Sequence, residues 1–166
     1  ETLRARGAAG AGVERDAMPG MTDIEELEAL NEAFYHAFES GDLDKMSEIW
    51  IEDTEDRVAM CVHPGWAMLS GRAGVLRSWA LFMANTTYIQ FVLTDVRTML
   101  CGDVAVVTCT EDVLVPAGAD EVGFAAGLVV ASNTFIRTEA GWRLWMHHGS
   151  PILQAEDEVE ADDHER

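Results

Sequence analysis

Three side chains in this sequence could carry acid–base chemistry: His148, Glu111 and His63. The ordinary pKa of an imidazole lies near neutrality, so His148 could donate or accept a proton. Glu111 could do the same if the fold removed its carboxyl group from water, because desolvation raises the pKa of a carboxyl group. His63 stands directly before a predicted turn, where it could polarise an oxygen atom of a substrate. Together these residue types predict proton transfer without a cofactor.

The assignment of His148 depends on the faces of a predicted β-hairpin that turns at residues 139–141. Side chains alternate between the two faces of a strand. One face is mainly apolar, lacks full charges and is expected to point inward: Asn133, Phe135, Trp142, Leu144, Met146 and His148. The other face carries Arg137, Arg143, Trp145 and His147. Inward polar groups must find partners or take part in function, so Asn133 would orient His148 or hold a substrate oxygen.

Each candidate also has a structural interpretation. His148 could be hydrogen-bonded to Asn133 or to the backbone. Glu111 could be solvated or paired with a cation, and a shift of the strand register by one residue would put Asp112 in its place. His63 could simply order the turn that follows it. The sequence leaves these alternatives open.

Four aromatic side chains are candidates for the wall of a ligand pocket: Tyr35, Trp50, Trp66 and Trp79. Aromatic rings provide a large contact area at little entropic cost, and ligand pockets are mostly apolar. Asn133 and Phe135, on the inward face of the hairpin, are predicted ligand contacts from the sheet. Packing in the core is the alternative for each ring, but we expect at least two of the four to line the pocket.

The elements that position these residues begin with three predicted helices. Thr22 and Glu25 form a capping-box pattern before an apolar stripe with helical spacing, and Gly41 ends this helix. Asp42 is the predicted cap of a short second helix, and Ser70 that of a third.

Strands dominate the rest of the sequence. A short strand is predicted at 57–62, and four long strands rich in β-branched and aromatic residues follow at 88–100, 104–115, 124–138 and 142–152. Turn signals separate the four long strands. Three helices followed by a meander predict an α+β fold with the helices gathered on one face of the sheet.

Several segments occur in the order typical of a known family. They are the end of the first helix with the second, SGDLDKMSEIW; a strand, turn and third helix, CVHPGW followed by LSGRAGVLRSW; and a final strand, GWRLWMHHGSP. With these segments, residues 22–153 resemble the NTF2-like superfamily and, within it, the SnoaL-like bacterial branch. The final strand also resembles that of the calcium/calmodulin-dependent kinase association domain, another branch of the superfamily.

The resemblance implies a cone-shaped, cystatin-like fold in which three helices and a curved antiparallel sheet enclose a pocket. It also implies a homodimer joined through the sheet, and Trp145 on the outer face would suit that interface. The superfamily includes isomerases, dehydratases, epoxide hydrolases and polyketide cyclases, besides members without known catalysis. Related chains often end the last strand with three histidines, where this one has Met146, His147 and His148. A role of the first histidine therefore does not carry over.

The composition of the chain and the motifs that it lacks limit the classes of partner and cofactor that we expect. The net charge of −19 disfavours nucleic acid, because phosphate binding needs clustered Lys and Arg. No apolar run approaches the roughly 20 residues that span a bilayer, and no secretory signal is evident, so we expect a cytoplasmic protein that does not bind membranes. The 3 cysteines form no CxxC pair, and no metal motif, phosphate loop or dinucleotide fingerprint occurs. We therefore predict neither a metal nor a cofactor.

The sequence divides into a predicted flexible leader at 1–20, one folded domain at 22–153 and an acidic, disordered tail at 154–166. For the domain we expect a homodimer that binds a small apolar molecule. If it is an enzyme, we expect a cofactor-independent isomerase, dehydratase, cyclase or hydrolase. The alternative is a non-catalytic ligand-binding or dimeric association module.

Overall fold

The computed structural model describes residues 22–116 and 124–153. The leader predicted for 1–20 and the tail predicted for 154–166 lie outside these residues, so both stay predictions. The helices of the described part are α1, Asp23–Ser40; α2, Leu43–Ile49; and α3, Arg72–Asn85. Its strands are β1, Met60–Val62; β2, Leu69–Ser70; β3, Gln90–Cys101; β4, Val104–Pro116; β5, Phe124–Thr138; and β6, Gly141–Pro151. None of the described helices combines the length and the apolar character needed to cross a membrane.

The strands form one sheet in the order β2-β1-β6-β5-β4-β3. The four long strands are an antiparallel meander, and β1 joins its edge parallel to β6. The three helices pack against this sheet, with α1 contacting β3, β4 and β6. The α+β fold predicted from the sequence is confirmed. Its core is a single apolar cluster between the helices and the inner face of the sheet.

Local signals explain where the helices begin and end. In the capping box of α1, the backbone N–H of Thr22 donates to Glu25 Oε2 (2.7 Å) and that of Glu25 donates to Thr22 Oγ1 (3.3 Å). Gly41 ends the helix in the left-handed conformation, with φ of 68°. Asp42 caps α2 by accepting from the backbone N–H of Lys45 (2.8 Å). These predictions are confirmed.

The predicted cap of α3 is wrong. Ser70 belongs to β2, and the N-cap position is Gly71, whose φ of 97° suits glycine. A residue distant in sequence supplies the missing acceptor, because Asp53 Oδ2 accepts from the backbone N–H of Arg72 (2.8 Å). The other carboxylate oxygen of Asp53 accepts from the backbone N–H of Ala59 (2.8 Å), which ties the loop before β1 to the start of α3.

A β-bulge in β6 decides which histidine points inward. Thr134 pairs with Met146 and Phe135 pairs with Leu144, so Trp145 is an extra residue without a partner on β5. After the bulge the alternation is reversed: His147 is buried and His148 is exposed. The expected inward position of His148 is therefore wrong, because the prediction assumed an unbroken alternation.

The strand β4 is regular, and here alternation predicts the faces correctly. Val107, Cys109 and Glu111 are all buried on the inner face, as unbroken alternation along β4 requires. Asp112 lies on the opposite face and is half-buried. The carboxyl group available to an internal cavity is thus that of Glu111.

Candidate functional site

An apolar cavity of about 340 Å³ lies between α1, α3, the turn after β1 and one end of the sheet. Seven aromatic side chains contribute to its wall: Phe34, Tyr35, Phe38, Trp66, Trp79, Phe82 and Phe91. Three ionisable polar side chains join this wall, namely His63, Glu111 and His147. The volume suits a small organic molecule. We call this space the aromatic cavity.

The structure brings together five of the nine residues predicted for the site. Tyr35, Trp66 and Trp79 line the aromatic cavity, as do His63 and Glu111. Whether they contact a ligand stays a prediction. The remaining four lie elsewhere.

The four predicted site residues that do not line the aromatic cavity lie in three different places. Trp50 follows α2 and bridges to Leu144 of β6, which places it in a separate groove at the other end of the sheet. Asn133 and Phe135 point inward as expected, but both are completely buried in the layer behind the cavity wall. His148 is exposed because of the bulge.

A buried chain of hydrogen bonds runs from Glu111 to His147. The Tyr35 hydroxyl donates to Glu111 Oε1 (2.6 Å) and accepts from Asn133 Nδ2 (3.2 Å). The same amide nitrogen donates to Asn31 Oδ1 (2.8 Å), so the Asn133 carbonyl oxygen faces His147 Nδ1 (2.7 Å). With ionised Glu111 as a pure acceptor, each bond in this chain has one possible direction.

These directions determine the tautomer of His147. Asn133 Oδ1 can only accept, so Nδ1 of His147 carries the proton. Nε2 then keeps its lone pair, and it has no hydrogen-bond partner among residues 22–116 and 124–153. Burial lowers the pKa of His147 to about 3, with smaller contributions from His63 and His148. The imidazole is therefore a neutral acceptor at the cavity wall.

His63 is held in the opposite tautomer. The Ser78 hydroxyl donates its proton to the backbone carbonyl of Val75 (2.7 Å), so it must accept from His63 Nε2 (2.8 Å). Burial lowers the pKa of His63 to about 4. A neutral imidazole with its N–H already used is a poor proton donor to a ligand, which favours a structural role for His63 at the rim.

Glu111 is the group in the cavity wall that titrates near neutrality. Its side chain is 4% exposed, and burial raises its pKa to about 7 although the hydrogen bond from Tyr35 acts in the opposite direction. Burial also raises the pKa of Tyr35, with the nearby Glu111 as the second cause, so the phenol stays protonated and remains a donor. A carboxyl group with this pKa can both take up and release a proton at neutral pH.

One further donor belongs to the cavity wall. Trp79 is 5% exposed, and its indole Nε1 has no hydrogen-bond partner in the described part of the chain. Its ring lies 4.6 Å from that of His63 and 5.5 Å from that of His147, measured between centroids. A buried N–H without an acceptor is costly. Protein atoms cover this nitrogen in the structure, so a ligand oxygen would reach it only after a rotation of the indole.

Sequence reasoning missed His147 and Asn31. The signal for His147 is the run Leu144-Trp145-Met146, which interrupts the alternation of apolar and polar residues, as an extra residue in a strand does. Asn31 is a polar residue on the apolar stripe of α1, four positions after Leu27, and a buried amide at such a position needs a partner.

Comparison with known proteins identifies the family. Residues 27–154 match the family model of the SnoaL-like domain. The chain belongs to this family. Among curated proteins, none matches the sequence.

Solved structures agree with this assignment. A proposed dehydratase of the NTF2-like family from Streptomyces avermitilis is 46% identical, with 80% of this chain and 97% of that chain covered and a TM-score of 0.73. A proposed calcium/calmodulin-dependent protein kinase type II association domain from Thiobacillus denitrificans is 30% identical, with coverages of 76% and 94% and a TM-score of 0.63. An NTF2-like protein with a cystatin-like fold from Novosphingobium aromaticivorans is 25% identical, with coverages of 80% and 84% and a TM-score of 0.62.

Proposed function

We propose that this SnoaL-like protein is a cofactor-independent dehydratase or isomerase of a small, largely apolar carbonyl compound. The observation that carries the proposal is the position of Glu111, a buried carboxyl group with a pKa of about 7 in the wall of an aromatic cavity. Structural ion-pair networks also shift pKa values, but no described cation forms an ion pair with Glu111. The similarity to a proposed dehydratase supports the same reaction class.

The polar groups of the wall fit a β-hydroxy carbonyl substrate. A rotation of the Trp79 indole, whose N–H is covered in this structure, would bring that N–H to the carbonyl oxygen, where negative charge develops. His147 Nε2 would accept a hydrogen bond from the substrate hydroxyl. Tyr35 holds Oε1 of Glu111 and so orients the carboxylate. The aromatic wall would enclose the apolar part of the substrate and exclude water.

In a dehydration, Glu111 alone could both accept and return the proton that is transferred. The ionised carboxylate takes the proton from the carbon between the carbonyl and the hydroxyl-bearing carbon, and the C–H electron pair forms an enolate. When the C–O bond breaks, the enolate electrons form the C=C bond. The departing hydroxide takes the proton back from Glu111 and leaves as water. An isomerisation would return the same proton to a different carbon.

The test is conversion of short β-hydroxy ketones, followed by the ultraviolet absorbance of the conjugated product. We expect Glu111→Gln to lose at least about a hundredfold in kcat/KM, the usual size of a general acid–base contribution. Asp112→Asn is the matched control, because this neighbouring carboxylate faces away from the cavity. His148→Ala tests the residue favoured by simple alternation. Full activity of Glu111→Gln, or loss of activity in His148→Ala alone, would overturn the assignment.

The alternative is a non-catalytic module that binds a ligand or assembles through its sheet. It is favoured by the outer sheet face, which carries the exposed Val92 and Val130, and by the similarity to a proposed association domain. Compounds that raise the melting temperature of the protein without being converted would support ligand binding. Homodimerisation is part of both proposals, and a cytoplasmic location stays a prediction.

A further inference from the structure

A second cavity, of about 770 Å³, lies at the opposite end of the sheet. Its wall comes from α2, the loop before β1, the start of α3 and the β5–β6 hairpin. Four arginines line it: Arg57, Arg72, Arg137 and Arg143. The described residues contain only three other basic side chains, Lys45, Arg77 and Arg97. In a chain with a net charge of −19 this clustering is notable, and we call the cavity the arginine groove.

Two of the four guanidinium groups are already paired. Arg137 contacts Asp23 and Asp103. Arg72 donates through Nη2 to Glu52 Oε1 (2.9 Å) and to the backbone carbonyl and hydroxyl of Ser47 (2.8 and 2.9 Å). Carboxylates thus reach the groove too, since Glu48, Glu52 and Glu139 are part of its wall.

The other two guanidinium groups lack such partners. Across residues 22–116 and 124–153, no carboxylate lies within 4.0 Å of the guanidinium nitrogens of Arg57 or Arg143. Arg143 uses Nη1 to donate to the backbone carbonyl of Trp142 (2.8 Å), which fixes its guanidinium group beside the hairpin. The groove wall thus contains two cationic groups, from different segments of the chain, that have no carboxylate partner among the described residues.

The groove also contains two buried donors without acceptors. Trp50 is 2% exposed, and its indole Nε1 has no hydrogen-bond partner among the described residues. The same holds for Nη1 of Arg72. Buried donors are almost always satisfied in folded proteins. Both nitrogens are covered by protein atoms in this structure, so an acceptor from outside the protein would reach them only after a rotation of the side chain. The third such donor, on Trp79, belongs to the aromatic cavity.

We propose that the arginine groove binds a small organic anion carrying carboxylate or phosphate groups. Guanidinium groups match both anions through paired hydrogen bonds. Arg57 and Arg143 would hold the charged groups, and Trp50 and Arg72 complete the wall around them. Ile51 and Ile136 in the same wall provide apolar contacts for the body of the ligand. This site does not depend on catalysis in the aromatic cavity.

The first experiment measures the binding of citrate and of inorganic phosphate by calorimetry at constant ionic strength, with sodium chloride as the reference. We expect saturable binding of at least one of the two, and the stronger ligand identifies carboxylate or phosphate as the preferred group. The double variant Arg57→Gln/Arg143→Gln should weaken binding at least about tenfold, because it removes two charge-assisted contacts. The matched control is Arg77→Gln/Arg97→Gln, which removes two exposed arginines outside the groove. Absence of binding to the wild type, or equal binding by the groove variant, would overturn the proposal.

A second readout measures binding by the wild-type protein and uses a substitution only to assign a resonance. The indole N–H resonance of Trp50 is identified in a proton–nitrogen spectrum by its loss in Trp50→Phe. Addition of the anion should shift this resonance and leave that of Trp79 in place. A shift of the Trp79 resonance alone would place the anion in the aromatic cavity and contradict the proposal.

Discussion

The carboxyl group of Glu111 links the chemistry proposed for the aromatic cavity to the stability of the fold. Its pKa is raised from 4.5 to about 7 by burial, so the folded protein holds the proton more tightly than the unfolded chain does. Between these two values, the unfolded chain releases the proton while the folded protein still retains it. The contribution of Glu111 to stability therefore falls as the pH rises from about 4.5 to 7.

Glu111→Gln should remove this pH dependence. The amide keeps an acceptor for the Tyr35 hydroxyl but carries no charge at any pH. Relative to the wild type, the free energy of unfolding of the variant should rise by about 3 kcal/mol between pH 4.5 and 7.5, the equivalent of the pKa shift. Urea titrations at several pH values measure this difference, and all other titrating groups cancel in it. A difference that is constant with pH would show that Glu111 is not desolvated.

The contributions of two histidines to the stability of the fold change with pH in the opposite direction. Burial lowers the pKa of His63 and His147 below the ordinary value of 6.5, so both favour the folded state fully above that pH. Their contribution is lost as the pH falls from 6.5 toward 4 and 3. The site therefore combines a carboxyl group that destabilises the fold at alkaline pH with imidazoles that destabilise it at acidic pH.

The position of Glu111 was predictable from the sequence, whereas that of His147 was not predicted. Alternation along β4 is regular, so one correct assumption about the register places Glu111 inward. In β6 the extra residue Trp145 reverses the alternation, and its position depends on pairing with β5 rather than on local preference. The hydrogen bonds that set the tautomer of His147 join α1, β4, β5 and β6, so no local pattern contains them.

At the scale of elements, close contact between β6 and the turn after β1 shapes the rim of the aromatic cavity. A Cβ atom added to Gly149 would lie 3.1 Å from Pro64 Cγ, 3.2 Å from Pro64 Cδ and 3.2 Å from Val129 Cγ1. All three atoms belong to side chains with little freedom to move. Glycine at 149 therefore allows the His63–Pro64 turn to approach the sheet.

Gly149→Ala should push this turn away from the sheet and lower stability by about 1–3 kcal/mol, the usual cost of overpacking. Gly127→Ala is the matched control, because this glycine of β5 lines the aromatic cavity and its added Cβ would have no neighbour within 4 Å. Thermal unfolding measures both changes. Equal effects of the two substitutions would mean that the rim does not depend on close packing at Gly149.

The order and type of the elements were largely predictable, because the apolar periods of 3.6 and 2 residues are clear in this sequence. The sequence-based prediction fails where a residue distant in sequence, rather than a local signal, determines where an element begins or ends. Asp53 rather than Ser70 satisfies the start of α3, and the strand predicted at 57–62 contains only Met60–Val62. The length of β1 is set by its pairing with β2 and β6 and not by its own composition.

At the scale of the whole molecule, the two cavities lie at opposite ends of the sheet, and the outer face of the sheet is left uncovered by the described helices. Val130 lies on this face in the inner strand β5 and is 46% exposed. Its partner on the adjacent strand β4 is Thr110, and Leu128 lies two residues away on the same face of β5. An exposed β-branched residue within a sheet of this kind fits an interface with a second copy of the chain.

Val130→Arg should therefore convert a homodimer into a monomer, because it places a charge at the centre of the uncovered face, where a partner copy would have to desolvate it. Leu81→Arg is the matched control, since Leu81 is equally apolar and well exposed but lies on α3, away from the sheet. Light scattering coupled to size-exclusion chromatography measures the mass of each variant. A wild-type protein that is monomeric at tens of micromolar, or a Val130→Arg variant that still forms a dimer, would contradict assembly through this face. Because neither cavity includes Val130, loss of the dimer with retained ligand binding would show that each copy contains a complete site.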